Sequence, residues 1–322
     1  PSGGTQDLKR GIIQYTVENY GPTPLEKSIL VTVGAKQAIY NALLTILNPG
    51  DEVILLAPYW VSYPEMAKMV GGRPVVVAPH KGTLTHRLTD IQNAISPNTK
   101  AIIFNSPNNP SGVVYPPSFV ADLVAFCEKN EIYLIMDDIY HKLVYGNTPW
   151  TPGYEVSSKG IDSSHIIVIN GISKSYGMTG FRIGWALASQ ELIKVMTNIQ
   201  SQTTSGASIL LQDAALGAIT GDQDVVKHLC ETIKKNRDVT LEGLRTISRV
   251  SLTQPEGAFY CLPDFSAYNP DSMALSRYIL ENALVAVVPG YAFGMEGHLR
   301  ISYAGDAEEI SAAIKRIKQL LE

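Results

Sequence analysis

The stretch VINGISKSYGMTGFRIGWALAS (residues 168–189) decides how the rest of the chain is interpreted. Apolar residues typical of buried strands stand at both of its ends. A glycine-rich turn between them carries Lys174 and, eight residues later, Arg182. Cations are seldom placed between buried segments unless an anion or an electrophile pairs with them. The stretch therefore predicts a strand–turn–strand unit with a buried arginine, whose turn faces a negatively charged or electrophilic group.

Short apolar runs alternate with helix-period segments through the first two-thirds of the chain. Near-continuous apolar strands that alternate with helices are typical of a largely parallel sheet with both faces covered. We therefore expect an α/β fold with a mostly parallel, seven-stranded sheet flanked by helices. The predicted strands cover residues 28–33, 52–57, 74–78, 101–105, 133–137, 165–170 and 183–188.

The pattern changes after about residue 205. A long helix-period segment at 223–244 is followed by the short apolar runs GAFYCLPDF, LVAVVPG and HLRISYA, and a closing helix is predicted at 307–321. This composition predicts a large domain at residues 1–222 and a smaller C-terminal α+β domain at 223–322, with the 223–244 helix as a bridge between them.

Charge and composition exclude several classes of partner. The chain has 26 basic and 30 acidic residues, a formal charge of −4 and no basic stripe, which argues against nucleic acid. No apolar run has the length of a membrane span and no signal peptide is visible, so we expect a cytoplasmic protein without a membrane partner. The three cysteines are widely spaced and the six histidines scattered, which predicts no metal site.

Ligands of such sheets bind beyond the carboxyl ends of the strands, so the residues that follow each strand are the candidates. Gly34, Ala35 and Lys36 open a helix, whose free N–H groups favour a phosphate, although a plain strand-to-helix turn has the same pattern. Asn109 lies in SPNNPSG (106–112), which is either a rigid turn or a loop that points an amide at a ligand oxygen.

Two further strand ends carry ionisable groups. Asp137 ends a buried strand, where a carboxylate is costly unless it meets a cation or donors; a helix cap or a partly solvated acid pair is the alternative. Tyr140 follows three residues later. A desolvated Lys174 would have a lowered pKa, which suits Schiff-base chemistry. The alternatives are a lysine that reaches solvent, or an amidase-like pair with Ser173, for which no second serine motif is present.

Taken together, these groups meet the needs of pyridoxal 5′-phosphate, which has a phosphate, a phenolic oxygen, a ring nitrogen and an aldehyde. The motifs PYW, NNPSG, DDIY, SKSYGMTGFRIGW and HLRISYA occur in that order. On these motifs the chain resembles the fold-type-I, PLP-dependent aminotransferases of classes I and II over essentially its whole length. The segments VTVGAKQ, APYWVSYPEM, AFYCLPDFSAY and VAVVPGYAFG most resemble the bacterial and plant subgroup that acts on aspartate or prephenate.

The resemblance implies three catalytic residues. Lys174 would form the Schiff base with the cofactor and then carry the proton from the substrate's α carbon. Asp137 would keep the pyridine nitrogen protonated. Tyr140, together with Asn109, would hydrogen-bond the phenolic oxygen.

The remaining roles implied by the resemblance concern binding. Trp60 would stack on the cofactor ring, and Arg182 would hold the phosphate together with the backbone of Gly34, Ala35 and Lys36. Arg300 would clamp the substrate's α-carboxylate, and the Lys36 side chain would reach a distal carboxylate. Trp60 and Asn109 would also contact the substrate. The family further implies a homodimer with active sites near the interface.

Two features depart from the family pattern. Gly171 stands three residues before Lys174, where many relatives carry a phosphate-binding serine, so Ser173 or Ser175 is expected to compensate. The chain also begins at Pro1, where family members already have a long N-terminal portion that supplies a substrate-contacting loop and a tyrosine for the partner subunit. We therefore expect an upstream segment to be missing.

The expected activity is transfer of the amino group of an acidic L-amino acid, aspartate or glutamate, to a 2-oxo acid by a ping-pong mechanism. Prephenate and arogenate are further candidate substrates. The alternatives are an aromatic or broad-specificity aminotransferase of the kynurenine or tyrosine type, and a C–S lyase or decarboxylase that uses the same cofactor. A binding or regulatory module on this fold would have lost catalytic groups, whereas Lys174, Asp137, Tyr140 and Arg300 are all present.

Overall fold

Seven strands form one sheet, and three short strands near the C-terminus form another. A computed structural model describes residues 1–322. The strands are β1 (Ile29–Thr32), β2 (Glu52–Leu56), β3 (Arg73–Val77), β4 (Thr99–Asn105), β5 (Tyr133–Asp137), β6 (Ile166–Gly171), β7 (Gly184–Leu187), β8 (Tyr260–Cys261), β9 (Val288–Pro289) and β10 (Leu299–Ser302).

Eleven helices surround these sheets, and none of them combines the length and apolar character needed to cross a membrane. The helices are α1 (Gln6–Tyr20), α2 (Ala35–Ile46), α3 (Ser62–Met69), α4 (Leu88–Gln92), α5 (Pro117–Lys129), α6 (Gly153–Val156), α7 (Gln190–Thr203), α8 (Ile209–Thr220), α9 (Asp224–Arg245), α10 (Ser272–Ala283) and α11 (Ala307–Leu321).

The large sheet has the strand order β1-β7-β6-β5-β4-β2-β3. The neighbouring strands among β6, β5, β4, β2 and β3 all pair in parallel. Strand β7 is antiparallel to both of its neighbours, β6 and β1, so six of the seven strands point the same way. The predicted seven-stranded, mostly parallel sheet is confirmed.

Both faces of the large sheet are buried, which explains why its strands are apolar almost without interruption. In β2, Ile54 and Leu56 pack into the core on one face, whereas Val53 and Leu55 pack into the core on the other. This alternation follows from the two-residue period of a strand. The same division recurs in β5 and β6, so the central strands are held rigidly and their carboxyl ends share one edge.

The C-terminal part has its own sheet, in the order β8-β10-β9, and all of its pairs are antiparallel. It also has its own core, to which α9, α10 and α11 contribute Leu241, Ile279 and Ile317. Tyr140 and Leu143, from the loop after β5, belong to the same core, so the two sheets meet beside that loop. Helix α9 covers nearly the same residues as the helix predicted at 223–244. Its role as a bridge and the division into domains at residue 223 stay predictions.

Candidate active site

A cavity of about 360 Å³ lies at the carboxyl edge of the large sheet. Segments that follow β1, β2, β4, β5 and β6 form most of its walls, which is where open parallel sheets place their ligands. Gly34 lies immediately beside it. The other predicted site residues all line it: Ala35, Lys36, Trp60, Asn109, Asp137, Tyr140, Lys174, Arg182 and Arg300.

Lys174 lies in the turn between β6 and β7 and is half-buried. Burial lowers the pKa of Lys174, the positive charges of Arg182 and Arg300 lower it further, and the Asp137 carboxylate opposes them. The Lys174 Nζ atom is 5.8 Å from the centroid of the Phe259 ring. The amine therefore loses its proton more readily than a solvated lysine, as a nucleophile or a general base requires.

Asp137 is the last residue of β5, and its carboxylate is buried against the cavity. Its Oδ2 accepts a hydrogen bond from the Tyr63 hydroxyl at 2.6 Å, whereas its buried Oδ1 has no partner. Burial raises the pKa of Asp137 to about 6, and the Tyr63 hydrogen bond and the Lys174 charge oppose that rise. The unpaired oxygen suits a cationic N–H donor in the cavity, which would also restore the ionised form.

The alternative interpretation of Asp137 and Asp138 as a partly solvated acid pair is wrong. Both side chains are buried, with 4% and 1% of their surfaces exposed. Asp138 Oδ2 accepts a hydrogen bond from the Tyr20 hydroxyl at 3.1 Å. The Tyr20 hydroxyl accepts in turn from Asn170 Nδ2 at 2.8 Å. Asp138 is thus held by a buried polar network with α1 and β6, and only Asp137 lines the cavity.

A chain of polar side chains crosses the cavity between the two sheets. Arg300 Nη1 donates to Asn109 Oδ1 at 3.1 Å, Asn109 Nδ2 donates to the Tyr140 hydroxyl at 3.4 Å, and this hydroxyl donates to that of Tyr260 at 3.4 Å. The Arg300 guanidinium also lies 4.5 Å from the Tyr260 ring centroid and 5.0 Å from that of Phe293. Its buried Nε has no partner, so Arg300 is fixed in place with a donor to spare.

The N-terminus of α2 and the Arg182 side chain form a positively polarised corner of the site. Helix α2 begins at Ala35, and no side chain caps it. Gly34 has φ +78°, and a Cβ there would lie 2.4 Å from Arg182 Nη2, so both conformation and space require glycine. Arg182 Nη1 donates to the Thr179 carbonyl at 3.1 Å. A guanidinium beside uncapped helical N–H groups is suited to an anion such as phosphate.

The prediction that Arg182 is buried is wrong, because its side chain is exposed. Its backbone has the left-handed conformation, with φ +53°, at the end of a short 3₁₀ turn. This conformation brings the guanidinium beside Gly34 at the cavity wall, instead of under the sheet. The burial of Ile183 and Gly184 directly after it made the segment resemble a fully buried strand.

Trp60 and Lys36 line another part of the cavity. The Lys36 Nζ atom lies 4.9 Å from the centroid of the Trp60 ring, although the lysine side chain as a whole is exposed. Trp60 is half-buried and contacts the Tyr63 ring edge-on, with 5.5 Å between centroids and 86° between planes. The tryptophan is therefore supported from one side, and a mobile cation stands beside it.

The packing around Gly171 leaves no room for the phosphate-binding serine that the resemblance led us to look for there. A Cβ at position 171 would lie 2.7 Å from the Ile183 carbonyl oxygen and 2.9 Å from Gly184 Cα, so any side chain would push against β7. Of the two serines expected to compensate, Ser173 lines the cavity. Ser175 is fully buried, has an unpartnered Oγ and does not line it. Ser173 is thus the better placed of the two.

Sequence reasoning missed four polar residues that line the cavity: Tyr63, Asn105, Thr179 and Tyr260. A signal existed for Asn105, because it ends β4 as Asp137 ends β5, and its Nδ2 donates to the Asp137 carbonyl at 2.6 Å. Tyr63 stands three residues beyond Trp60, a spacing that places two side chains on the same side of a helical turn. Nothing in the local sequence marked Thr179 or Tyr260.

Comparisons with known sequences place the chain in a family. The profile described as "Aminotransferase class I and II" matches residues 1–317. The chain is 38% identical to a probable aspartate/prephenate aminotransferase of Thermus aquaticus, covering 100% of this chain and 83% of the relative. It is 39% identical to an aspartate aminotransferase of Streptomyces avermitilis, covering 100% of this chain and 81% of the relative.

Solved structures have the same fold. The aspartate aminotransferase from Thermus thermophilus with maleate superposes with a TM-score of 0.93 at 37% identity, covering 100% of this chain and 83% of that one. An aromatic aminotransferase from Pyrococcus horikoshii superposes with a TM-score of 0.95 at 29% identity, covering 100% of this chain and 87% of that one.

The fold is that of the PLP-dependent enzymes of fold type I. The chain belongs to the class I and II aminotransferase family. The predictions of fold, family and enzyme class are thereby confirmed. The described residues also fit the family's cofactor: an unpaired buried oxygen of Asp137, a half-buried amine and an uncapped helix N-terminus beside a guanidinium share one cavity.

Proposed function

We propose that this protein uses pyridoxal 5′-phosphate to transfer the amino group of an acidic L-amino acid to a 2-oxo acid. The observation that carries the proposal is the position of Lys174 and Asp137. A half-buried amine and a carboxylate with an unpaired buried oxygen line the same cavity as Arg300 and Lys36. Relatives that are 38–39% identical are named for aspartate and prephenate, which supports an acidic substrate.

The cofactor would be held at three points around its ring. Asp137 Oδ1, which has no partner within the protein, would accept from the pyridine N–H group. Tyr140 and Asn109, which are hydrogen-bonded to each other, would contact the phenolic oxygen. The Trp60 ring would cover one face of the pyridine.

The phosphate would lie at the start of α2. The free N–H groups of Ala35 and Lys36, the Arg182 guanidinium and the Ser173 hydroxyl are the donors available there. Helix polarity and a planar guanidinium both favour a dianion at this position.

When bound, the cofactor supplies an electron sink that makes the proton at the substrate's α carbon removable. Lys174 Nζ would take that proton and return it, which requires an amine that is neutral for part of the cycle. Burial and the Arg182 charge lower the pKa of Lys174, and both favour this neutral form. The nearby cavity walls would limit the water that competes for the proton.

Two cations would orient the substrate. Arg300, fixed by Asn109 and two aromatic rings, would bind the α-carboxylate and thereby set which bond at the α carbon faces Lys174. Lys36 would bind the distal carboxylate. An ammonium on a flexible side chain tolerates carboxylates at different distances, as in aspartate, glutamate and prephenate.

The assembly and organisation are also proposed. We expect a cytoplasmic homodimer with the active sites near its interface, as in this family, and two domains, residues 1–222 and 223–322, bridged by α9. The separate sheet and core of the C-terminal part support this division. Light scattering at micromolar concentration tests the dimer, and a monomeric mass would contradict it.

The function is tested with purified protein, pyridoxal 5′-phosphate, aspartate and 2-oxoglutarate. The proposal expects stoichiometric oxaloacetate and glutamate, with reversible interconversion of the aldehyde and amine forms of the cofactor seen by absorbance. Release of pyruvate, ammonia or sulfide from amino acids would identify a lyase. Rapid turnover of phenylalanine or kynurenine, with little of aspartate, would favour the aromatic alternative.

A further inference from the structure

Tyr63 is hydrogen-bonded to Asp137, the carboxylate that lines the cavity. Its hydroxyl donates to Asp137 Oδ2 at 2.6 Å, and both side chains are buried. The other carboxylate oxygen, Oδ1, is buried and has no partner. The two oxygens of Asp137 are therefore not equivalent, since the protein satisfies one and leaves the other for a ligand.

Three contacts restrict the Tyr63 side chain. Its ring meets the Trp60 ring edge-on at 5.5 Å, and its backbone N–H donates to the Trp60 carbonyl at 3.0 Å. Tyr63 is also the first buried residue of α3, with 2% of its surface exposed. Rotation of the hydroxyl away from Asp137 would break this packing, so the donor is preorganised.

The hydroxyl of Tyr63 acts as a donor over the whole physiological pH range. Burial and the adjacent Asp137 charge raise the pKa of Tyr63 well above its ordinary value, so the phenol keeps its proton. A permanent donor stabilises the ionised form of the carboxylate that accepts from it. Without the donor, the buried Asp137 would keep its own proton to a higher pH.

We propose that Tyr63 is a positioning residue that keeps Asp137 ionised and aims its unpaired Oδ1 at the cofactor's ring nitrogen, while supporting Trp60 beside the same ring. The part that concerns the cofactor rests on the function proposed above. The part that concerns Asp137 is a property of the protein alone and is measurable without any ligand.

The test compares Tyr63→Phe with Tyr154→Phe in cofactor-free protein. Both substitutions remove one buried hydroxyl and keep the ring, but the Tyr154 hydroxyl donates to the Ile166 carbonyl at 3.0 Å, away from the cavity. Carbon-13 NMR of labelled aspartate carboxyls, with Asp137→Asn to assign the signal, follows the ionisation of Asp137. We expect Tyr63→Phe to move its midpoint up by about one pH unit or more, and Tyr154→Phe to leave it in place.

Pyridoxal 5′-phosphate affinity is the second measurement, made by equilibrium dialysis across a pH series. Tyr63→Phe should weaken binding roughly 10-fold near pH 5, below both midpoints, because one pKa unit corresponds there to a tenfold change in the ionised fraction, and only about twofold near pH 7. The loss should shrink as the pH rises above the new midpoint. A purely structural defect would weaken binding equally at every pH, and that result would overturn the proposal.

The remaining outcomes separate the inference from the proposed function. If the Asp137 midpoint does not rise in Tyr63→Phe, the inference is wrong even where the cofactor binds well. If the midpoint rises but Asp137→Asn binds the cofactor as tightly as the unsubstituted protein, the cofactor site is wrong and the effect on Asp137 stands. Should Tyr63→Phe not fold, the Tyr63 ring ¹³Cζ signal of the unsubstituted protein must titrate at the Asp137 midpoint, and its failure to do so would refute the hydrogen bond.

Discussion

Arg300 in the small C-terminal sheet donates a hydrogen bond from Nη1 to Oδ1 of Asn109 at 3.1 Å, and Asn109 lies in a loop of the large sheet. Asn109 in turn donates to the Tyr140 hydroxyl, which belongs to the core of the C-terminal part. The residue proposed to bind the substrate is therefore hydrogen-bonded to residues proposed to bind the cofactor. Relative motion of the two sheets would change both sites together.

Arg300→Lys tests the substrate end of this connection. A lysine cannot contact Asn109 and bind a carboxylate through two parallel N–H groups at the same time. We expect the KM for aspartate to rise roughly 10- to 150-fold, equivalent to about 1.5–3 kcal/mol of charge-assisted hydrogen bonding, with a smaller fall in kcat. Arg316→Lys, on the exposed face of α11, is the control. Equal KM values for Arg300→Lys and the control would remove Arg300 from the site.

Lys174→Ala tests the amine. The variant should still bind pyridoxal 5′-phosphate through the phosphate corner and Asp137, but kcat should fall by about 10³-fold or more because both the nucleophile and the proton carrier are lost. Borohydride reduction followed by peptide mass spectrometry should place a pyridoxyl group on Lys174 in the unsubstituted protein and in Lys194→Ala, a surface control. Label on a different lysine would show that the anchor was misassigned.

Asp137→Asn tests the energetic cost of the buried carboxylate in cofactor-free protein. The pKa of Asp137 is raised by burial to about 6, so folding is opposed once the carboxylate ionises. This opposition is absent below the ordinary pKa, grows as the pH rises towards 6 and is then constant. The amide introduced by the substitution carries no charge. The free energy of unfolding of the variant should therefore be roughly 1–3 kcal/mol higher than that of the unsubstituted protein near pH 7.5, with no gain near pH 3. Urea unfolding at the two pH values decides; a difference independent of pH would contradict the assigned pKa.

The sequence allowed prediction of those site residues that end a buried strand. Asp137 and Lys174 could be located because a charged group next to a continuous apolar run is unusual, and the direction of parallel strands brings such ends to one edge. The order of the strands did not follow from the pattern. That order sets which ends are neighbours, and it depends on crossover connections between elements distant in sequence.

The residues that were missed or misplaced depend on local backbone direction and on packing between elements. Tyr63 reaches Asp137 only because α3 begins on the correct side of the β5 end. Arg182 was expected to be buried, yet its own left-handed backbone conformation turns its side chain to the cavity wall. Neither the position of a helix over a sheet nor a positive φ at a non-glycine residue is encoded in hydrophobic periodicity.

Substrate choice is tested at Lys36. Its Nζ lies 4.9 Å from the Trp60 ring centroid at the cavity, and it stands in the first turn of α2, where a positive charge is opposed by the helix dipole. Lys36→Ala should therefore stabilise α2 slightly while raising the KM for aspartate, through loss of about 1.5–3 kcal/mol, or roughly 10- to 150-fold. The KM for phenylalanine, which has no distal carboxylate, should hardly change.

Lys194→Ala controls for loss of a surface lysine. Equal effects on the two substrates would remove Lys36 from the distal carboxylate and favour an aromatic or broad-specificity aminotransferase.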